Sequence, residues 1–311
     1  HDHVPAHQPI IAIKSGGPKL PAIFISAGSH ATEQAGVTAA IDLIDELQTD
    51  HQLYTLPCRD PIGLTRISRA TGVNIIMGAS HYVAPFHPPD MDSRSEDQIF
   101  EQIVRDVTEG VDGTDIKSGV IGEVGCSWPL EENERKVLRA SARAQRITGA
   151  PLLVHPGRGE FSPLEIIDVV LDAGGDIGHT IISHLDRTIF DRDLLVRVAQ
   201  SGCFLVWDLF GREISYYLPD PGIDMPNDAS RMDHIAWIIA QGFGDRVMVA
   251  HDICRKERLL KYGGHGYFYI PRNIVPRMLG KGIKQEDIDR ILVGNPARAF
   301  TFVPGNVENV D

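Results

Sequence analysis

Carboxylates and imidazoles close a series of short apolar runs along this chain, and as a set they offer the donors of a divalent metal site. Ile121-Gly122 leads into Glu123, Leu152-Leu153-Val154 into His155, Ile181-Ile182-Ser183 into His184, Leu205-Val206-Trp207 into Asp208, and Val249-Ala250-His251 into Asp252. Each alone reads more readily as an ordinary hydrogen-bonded polar residue at a strand end. Together they ask for more, because burying an unpaired carboxylate costs roughly several kcal/mol. Glu and Asp that face two imidazoles across a cation offset that cost. Zn²⁺ accepts His nitrogen and carboxylate oxygen, and a position left open for water makes such a site catalytic. Glu123, His155, His184 and Asp252 suffice for one cation. A second needs more ligands, and His1-Asp2-His3 offers an HxH whose imidazoles point the same way in an extended segment. A terminal His-rich fragment reads equally as a segment with no role in the site.

Residues so far apart meet only if the intervening elements carry strand ends to one face. Near-continuous apolar runs recur at residues 22–26, 53–56, 73–77, 119–121, 151–154, 180–182, 203–206 and 246–249. Unbroken apolar runs of this length are what strands covered on both faces require. Val37, Ala40, Ile41, Ile44 and Leu47 share one face of a helix, and further helical patterns cover 131–147, 164–171, 191–200 and 230–241. Gly149, Gly174, Gly202 and Gly242 each stop a helix before the next apolar run. This rhythm predicts an α/β fold, a parallel eight-stranded (β/α)₈ TIM barrel, in which side chains at the C-terminal strand ends converge on one mouth. One domain over residues 1–311 is expected, with residues 1–58 supplying the first βα unit. Residues 216–227, with Pro219, Pro221 and Pro226, follow the seventh run and form a lid, a substrate wall or a packed connection.

Composition narrows the partners. The 311 residues are 42% hydrophobic and 23% charged, enough to bury a large core. A net charge of −12 with no Lys/Arg run disfavours nucleic acid and anionic membranes. No apolar stretch reaches the length of a membrane span, and a cytoplasmic location is expected, with Cys58, Cys126, Cys203 and Cys254 as reduced thiols. Cys126 and Cys254 adjoin ligand positions without a histidine partner in sequence, which disfavours a thiol nucleophile.

From about residue 59 to 303 the sequence resembles the phosphotriesterase-related branch of the amidohydrolase superfamily. The resemblance rests on residues 121–128 (IGEVGCSW), 153–158 (LVHPGR), 183–187 (SHLDR), 250–254 (AHDIC), 262–267 (YGGHGY) and 294–300 (GNPARAF). It implies a binuclear metal hydrolase on a (β/α)₈ barrel. Glu123 would bridge the metals, where the phosphotriesterases proper place a carbamylated lysine. His155 and His184 would hold the more exposed metal, and Asp252 would bind the buried one and accept the proton of the bridging water. The family's HxH corresponds to His1 and His3. Two divalent ions are implied, Zn²⁺ first, with Mn²⁺, Fe²⁺ and Co²⁺ also suited to the donors. A homodimer is implied as well. Residues 21–47 instead resemble the opening of a zinc carboxypeptidase, including His30-x-x-Glu33, but that family's third ligand has no counterpart here, and His30 and Glu33 read first as a helix-start pair of the barrel's first βα unit.

The chemistry expected is hydrolysis of a small ester, lactone, amide or phosphoester substrate. A metal lowers the pKa of bound water from about 15.7 toward about 7, and Asp252 moves the proton. Asp186 or Asp208 would orient an imidazole, and a loop cap is the equal alternative for each. Arg158 and Arg255 would neutralise a substrate carboxylate or sulfonate, and the alternative for each is a solvated surface charge. Tyr82, with His81, Tyr267, Trp128 and Trp207, would line the mouth, although aromatic residues at such positions more often serve packing, and His265 in the glycine-rich 263–266 stretch would touch substrate. Two other readings compete with the hydrolase: a non-catalytic metal- or ligand-binding barrel, and a carboxypeptidase-like deacylase using His30 and Glu33.

Overall fold

The computed structural model describes residues 22–26, 52–56 and 61–305, apart from 215–216 and 218–219. The expectations placed on His1, His3, His30, Glu33, Cys58 and the 37–47 helix lie outside these residues. Strands β1 (Ala22–Ser26) and β2 (Gln52–Leu56) pair in parallel. Strands β3 (Gly78–Ala79), β4 (Val120–Gly125), β5 (Leu152–His155), β6 (Thr180–Ile182), β7 (Phe204–Trp207) and β8 (Val247–Val249) form a six-stranded parallel sheet in chain order. Every residue of β4 to β8 is buried, which accounts for the unbroken apolar runs.

Alternation along the strands sorts the side chains onto two faces. Val120, Leu153, Ile181, Phe204, Val206 and Met248 form one cluster, while Ile121, Val124, Leu152, Val154, Ile182, Leu205, Trp207, Val247 and Val249 pack with the helices in another. Continued by a period of two, the first face takes in His155 after Leu153 and Asp208 after Val206. Glu123 needs a correction of register to join them. Ile121 pairs with Leu152 and Val124 with Val154, so β4 spends one residue more than β5 over this interval. Such a bulge switches the face of whatever follows it. Gly122 sits inside it with φ 144°, and a Cβ there would lie 2.4 Å from the Leu153 carbonyl oxygen.

The helices follow the pattern of capping and stop signals. Among the described residues the first two, α1 (Pro61–Thr71) and α2 (Glu96–Thr108), fall outside the stretches that the periodicity predicts. A capping box opens α2, in which Ser95 Oγ accepts from Gln98 N at 3.1 Å and Gln98 Oε1 accepts from Ser95 N at 2.9 Å. Next come α3 (Glu132–Thr148), α4 (Ser162–Asp172), the single turn α5 (Leu185–Thr188), α6 (Arg192–Gln200) and α7 (Asp228–Ile238). Gly149 ends α3 in the left-handed region at φ 69°, where a side chain is disfavoured.

One strand is displaced from its expected place. The apolar run at 73–77 precedes β3 and does not form it; Met77 packs with Leu64, Val111 and Ile116 in a separate cluster beneath α1. An apolar run records burial, and here the burial is against a helix and a loop. No helix of the described residues is long and apolar enough to cross a membrane.

Candidate metal centre

Glu123 within β4, His155 at the end of β5 and His184 just after β6 meet in a buried cluster whose candidate ligand atoms all lie within 4.8 Å of one another. Glu123 Oε1 is 3.1 Å from His184 Nε2 and 3.5 Å from His155 Nδ1, and the two ring nitrogens are 2.8 Å apart. Two imidazoles and a carboxylate converging on one point are the donors a borderline-soft divalent cation takes. Among the described residues no other group of His, Cys, Asp and Glu has this arrangement.

The surroundings fix how the rings are presented. Asp208 Oδ1 lies 2.7 Å from His184 Nδ1, and Asp208 Oδ2 accepts the His184 main-chain N–H at 3.1 Å. A carboxylate that takes the Nδ1 proton leaves Nε2 facing the cluster. His184 has φ 55° and Asp252 φ 45°, both left-handed and neither glycine. Such backbone costs about 1–3 kcal/mol and persists where its surroundings enforce it; for His184 the grip of Asp208 on ring and main chain is one such restraint.

Charge is distributed unevenly across the cluster. Burial pushes the Glu123 carboxyl up, but the His155 and His184 rings beside it more than reverse this and hold it below the usual carboxylate range. Burial drives His155 down to about 3, so it is neutral at physiological pH. Burial acts on His184 in the same direction, yet Asp208 and Glu123 outweigh it and raise its pKa well above the ordinary histidine value. Asp252 is pushed up by burial to about 6.

A cavity of about 380 Å³ opens over the cluster and is lined by Asp252, Tyr82, Arg158, Arg187, Arg212, Tyr217 and Arg255 as well as by Glu123, His155 and His184. The structure thus brings Arg158, Arg255 and Tyr82 to the same space as the metal-ligand candidates. Tyr82 does more than line the mouth, because its hydroxyl lies 3.1 Å from His155 Nδ1. Other expected residues lie elsewhere. His265 lines an adjoining cavity of about 560 Å³, which shares Arg212, Cys254 and Arg255 with the first, and its ring stacks 4.3 Å from that of Tyr269. Trp207 is 1% exposed and belongs to the helix-side core, its position one residue before Asp208 turning it to the opposite face. Tyr267 is likewise buried, and Trp128 points outward.

Of the two carboxylates expected to orient an imidazole, Asp208 does so. Asp186 instead accepts from Arg231 Nε at 2.8 Å and from Leu209 N at 3.0 Å. Arg231 is fully buried and also donates to Asp228 Oδ1 at 2.7 Å and to the Arg212 carbonyl at 2.9 Å. Sequence reasoning missed Arg187, Arg212 and Tyr217. Arg187 Nη2 lies 3.2 Å from His155 Nε2 and donates to the Pro156 carbonyl at 3.0 Å. The motif SHLDR contains Arg187, and only its charge within an apolar context signals burial with partners. Glu134, buried in α3, accepts from Ser127 N at 2.7 Å and Ala84 N at 2.9 Å, which ties the loops after β3 and β4 together beneath this wall.

The phosphotriesterase family pattern matches residues 48–300. The chain is 49% identical over 244 residues to a phosphotriesterase-related protein of Nematostella vectensis and 48% identical over 244 residues to the N-acetyltaurine hydrolase of Homo sapiens, in each case covering 78% of this chain and 70% of the relative. Among solved structures, a resiniferatoxin-binding protein from Rhodobacter sphaeroides superposes with a TM-score of 0.78 at 34% identity, over 84% of this chain and 74% of that one. The phosphotriesterase homology protein from Escherichia coli superposes with a TM-score of 0.77 at 23% identity, over 90% of this chain and 99% of that one, a likeness of fold. The parallel strands and their helices are those of a phosphotriesterase-like TIM barrel. The chain belongs to the phosphotriesterase family and is a metal-dependent hydrolase.

Proposed function

We propose that this hydrolase cleaves the amide bond of a short N-acyl amine carrying a terminal acid group, the class to which N-acetyltaurine belongs. The observation that carries the reading is one cavity that joins the Glu123, His155 and His184 cluster to the guanidiniums of Arg158, Arg187, Arg212 and Arg255. A scissile carbonyl placed at the cluster leaves the acid end of a two-carbon tail among the arginines. The named activity of relatives at 47–48% identity supports the same class.

Glu123, His155 and His184 would hold the cation, Zn²⁺ being the first choice for two nitrogens and a carboxylate oxygen. When bound, it supplies an acidified water and polarises the acyl oxygen. Asp252, beside the cluster, accepts the proton of the attacking water and returns it to the departing amine, so that water adds to the acyl carbon as the C–N bond breaks. Asp208 keeps His184 in the presenting tautomer, and Tyr82 holds the His155 ring from the cavity side. A second cation would be held by Glu123 and Asp252, with His1 and His3 as its further donors.

The test is release of acetate from N-acetyltaurine by protein supplied with Zn²⁺ or Mn²⁺, with N-ethylacetamide as the substrate lacking the acid group. Hydrolysis of the first that a chelator abolishes and metal restores is expected, with little turnover of the second. Equal turnover of both, or none of N-acetyltaurine by the metal-supplied protein, would contradict the reading.

A further inference from the structure

Tyr217 stands in the stretch after β7, the region expected to be a wall or a packed connection, and it is both. Its ring is 3% exposed and packs with Leu209 and Met225. Two arginines from different loops meet that one ring: the guanidinium carbon of Arg158 is 5.7 Å from its centroid and that of Arg212 is 5.2 Å. Arg158 Nε also donates to the Tyr217 hydroxyl at 3.2 Å. Among the described residues neither guanidinium has a carboxylate within ion-pair distance.

Two cations held on one aromatic ring gain from its quadrupole and lose by mutual repulsion. Because no protein carboxylate among the described residues relieves the repulsion, the arrangement is complete only when an anion reaches both forks. All three residues line the cavity over Glu123, His155 and His184. The geometry points to Arg158, Tyr217 and Arg212 as an anion clamp that receives the terminal sulfonate or carboxylate of the substrate, with Tyr217 as the positioning residue that sets both guanidiniums. This rests on the reading of an acid-tailed substrate, and it assigns the acid group to Arg158 and Arg212. Guanidinium forks suit such oxyanions because their donors are rigid and planar.

The probe is ethanesulfonate, an acid tail without a scissile bond, titrated calorimetrically into metal-supplied protein. Wild type binds it, Arg212→Gln and Tyr217→Ala weaken binding by about tenfold or more, and Tyr217→Phe, which keeps the ring, stays within about threefold. Metal content and thermal melting of each variant separate a lost clamp from a lost fold, and Arg212→Gln removes no buried ring. On N-acetyltaurine the clamp variants raise KM far more than they lower kcat. Failure of wild type to bind ethanesulfonate, or equal binding by Arg212→Gln and wild type, overturns the clamp whether or not N-acetyltaurine is hydrolysed. Ethanesulfonate held through Arg212 in a protein that leaves N-acetyltaurine intact would instead overturn the substrate reading and leave the clamp standing.

Discussion

Asp208 holds His184 at two points, the ring Nδ1 at 2.7 Å and the main-chain N–H at 3.1 Å. The second bond fixes the left-handed turn at His184, and the first decides which ring nitrogen faces Glu123. One side chain at the end of β7 therefore sets both the position and the tautomer of a ligand candidate at the end of β6. Replacing Asp208 by Asn keeps the shape and removes the charge. Metal affinity should fall about 10–100-fold, measured by calorimetric titration, with the secondary structure unchanged by circular dichroism.

Metal uptake should release a proton. His184 is raised well above the ordinary value of 6.5 by Asp208 and Glu123, so below that raised value both of its ring nitrogens carry protons in the metal-free protein. Its Nε2 must lose that proton to act as a donor, whereas His155, at about 3, is already neutral. Affinity should rise with pH, by up to about tenfold per unit below the His184 pKa. Titrations in buffers of different ionisation heat count the proton. The linked stability runs the other way in metal-free protein: the charge on His184 stabilises the fold below 6.5, and that contribution is lost as pH rises through its raised folded-state value.

Asp252→Asn should leave metal in place at Glu123, His155 and His184 and lower kcat about 10²–10⁴-fold, the usual contribution of a positioned base. Steady-state rates beside metal analysis check this. A variant that lost metal and activity in step would place Asp252 among the ligands of the first cation.

Arg231 stabilises the wall from behind. It is fully buried and bridges the equally buried Asp186 and Asp228 at 2.8 and 2.7 Å. Removing one partner strands the other charges in the interior, so Arg231→Met should destabilise by about 3–5 kcal/mol in urea unfolding. The same change frees the Arg212 carbonyl, which accepts from Arg231, and should loosen the loop that carries Arg212.

The strand-end residues are legible in the sequence because a carboxylate or imidazole that closes an apolar run needs a buried partner, and Glu123, His155, His184 and Asp252 do share one cavity. The bulge that turns Glu123 inward is not legible, since it depends on the register between β4 and β5. Asp208 and Asp186 look alike in sequence, and only their neighbours across β6 and β7 tell them apart. Arg212 and Tyr217 lie in a loop without period, where nothing in the order of residues indicates which side chains meet. His265 follows β8 closely enough to be expected in the site, yet its loop carries it into the adjoining cavity.

Metal content per chain tests most directly whether Glu123, His155 and His184 form the metal centre. Elemental analysis of protein prepared without added metal, then after exposure to Zn²⁺ and removal of the excess, should show bound metal in wild type and a loss of at least one ion in Glu123→Gln of intact fold. A His1 and His3 double-alanine variant reports separately on a second ion. Wild type that takes up no divalent metal, or Glu123→Gln that retains all of it, would contradict a metal centre at these three residues.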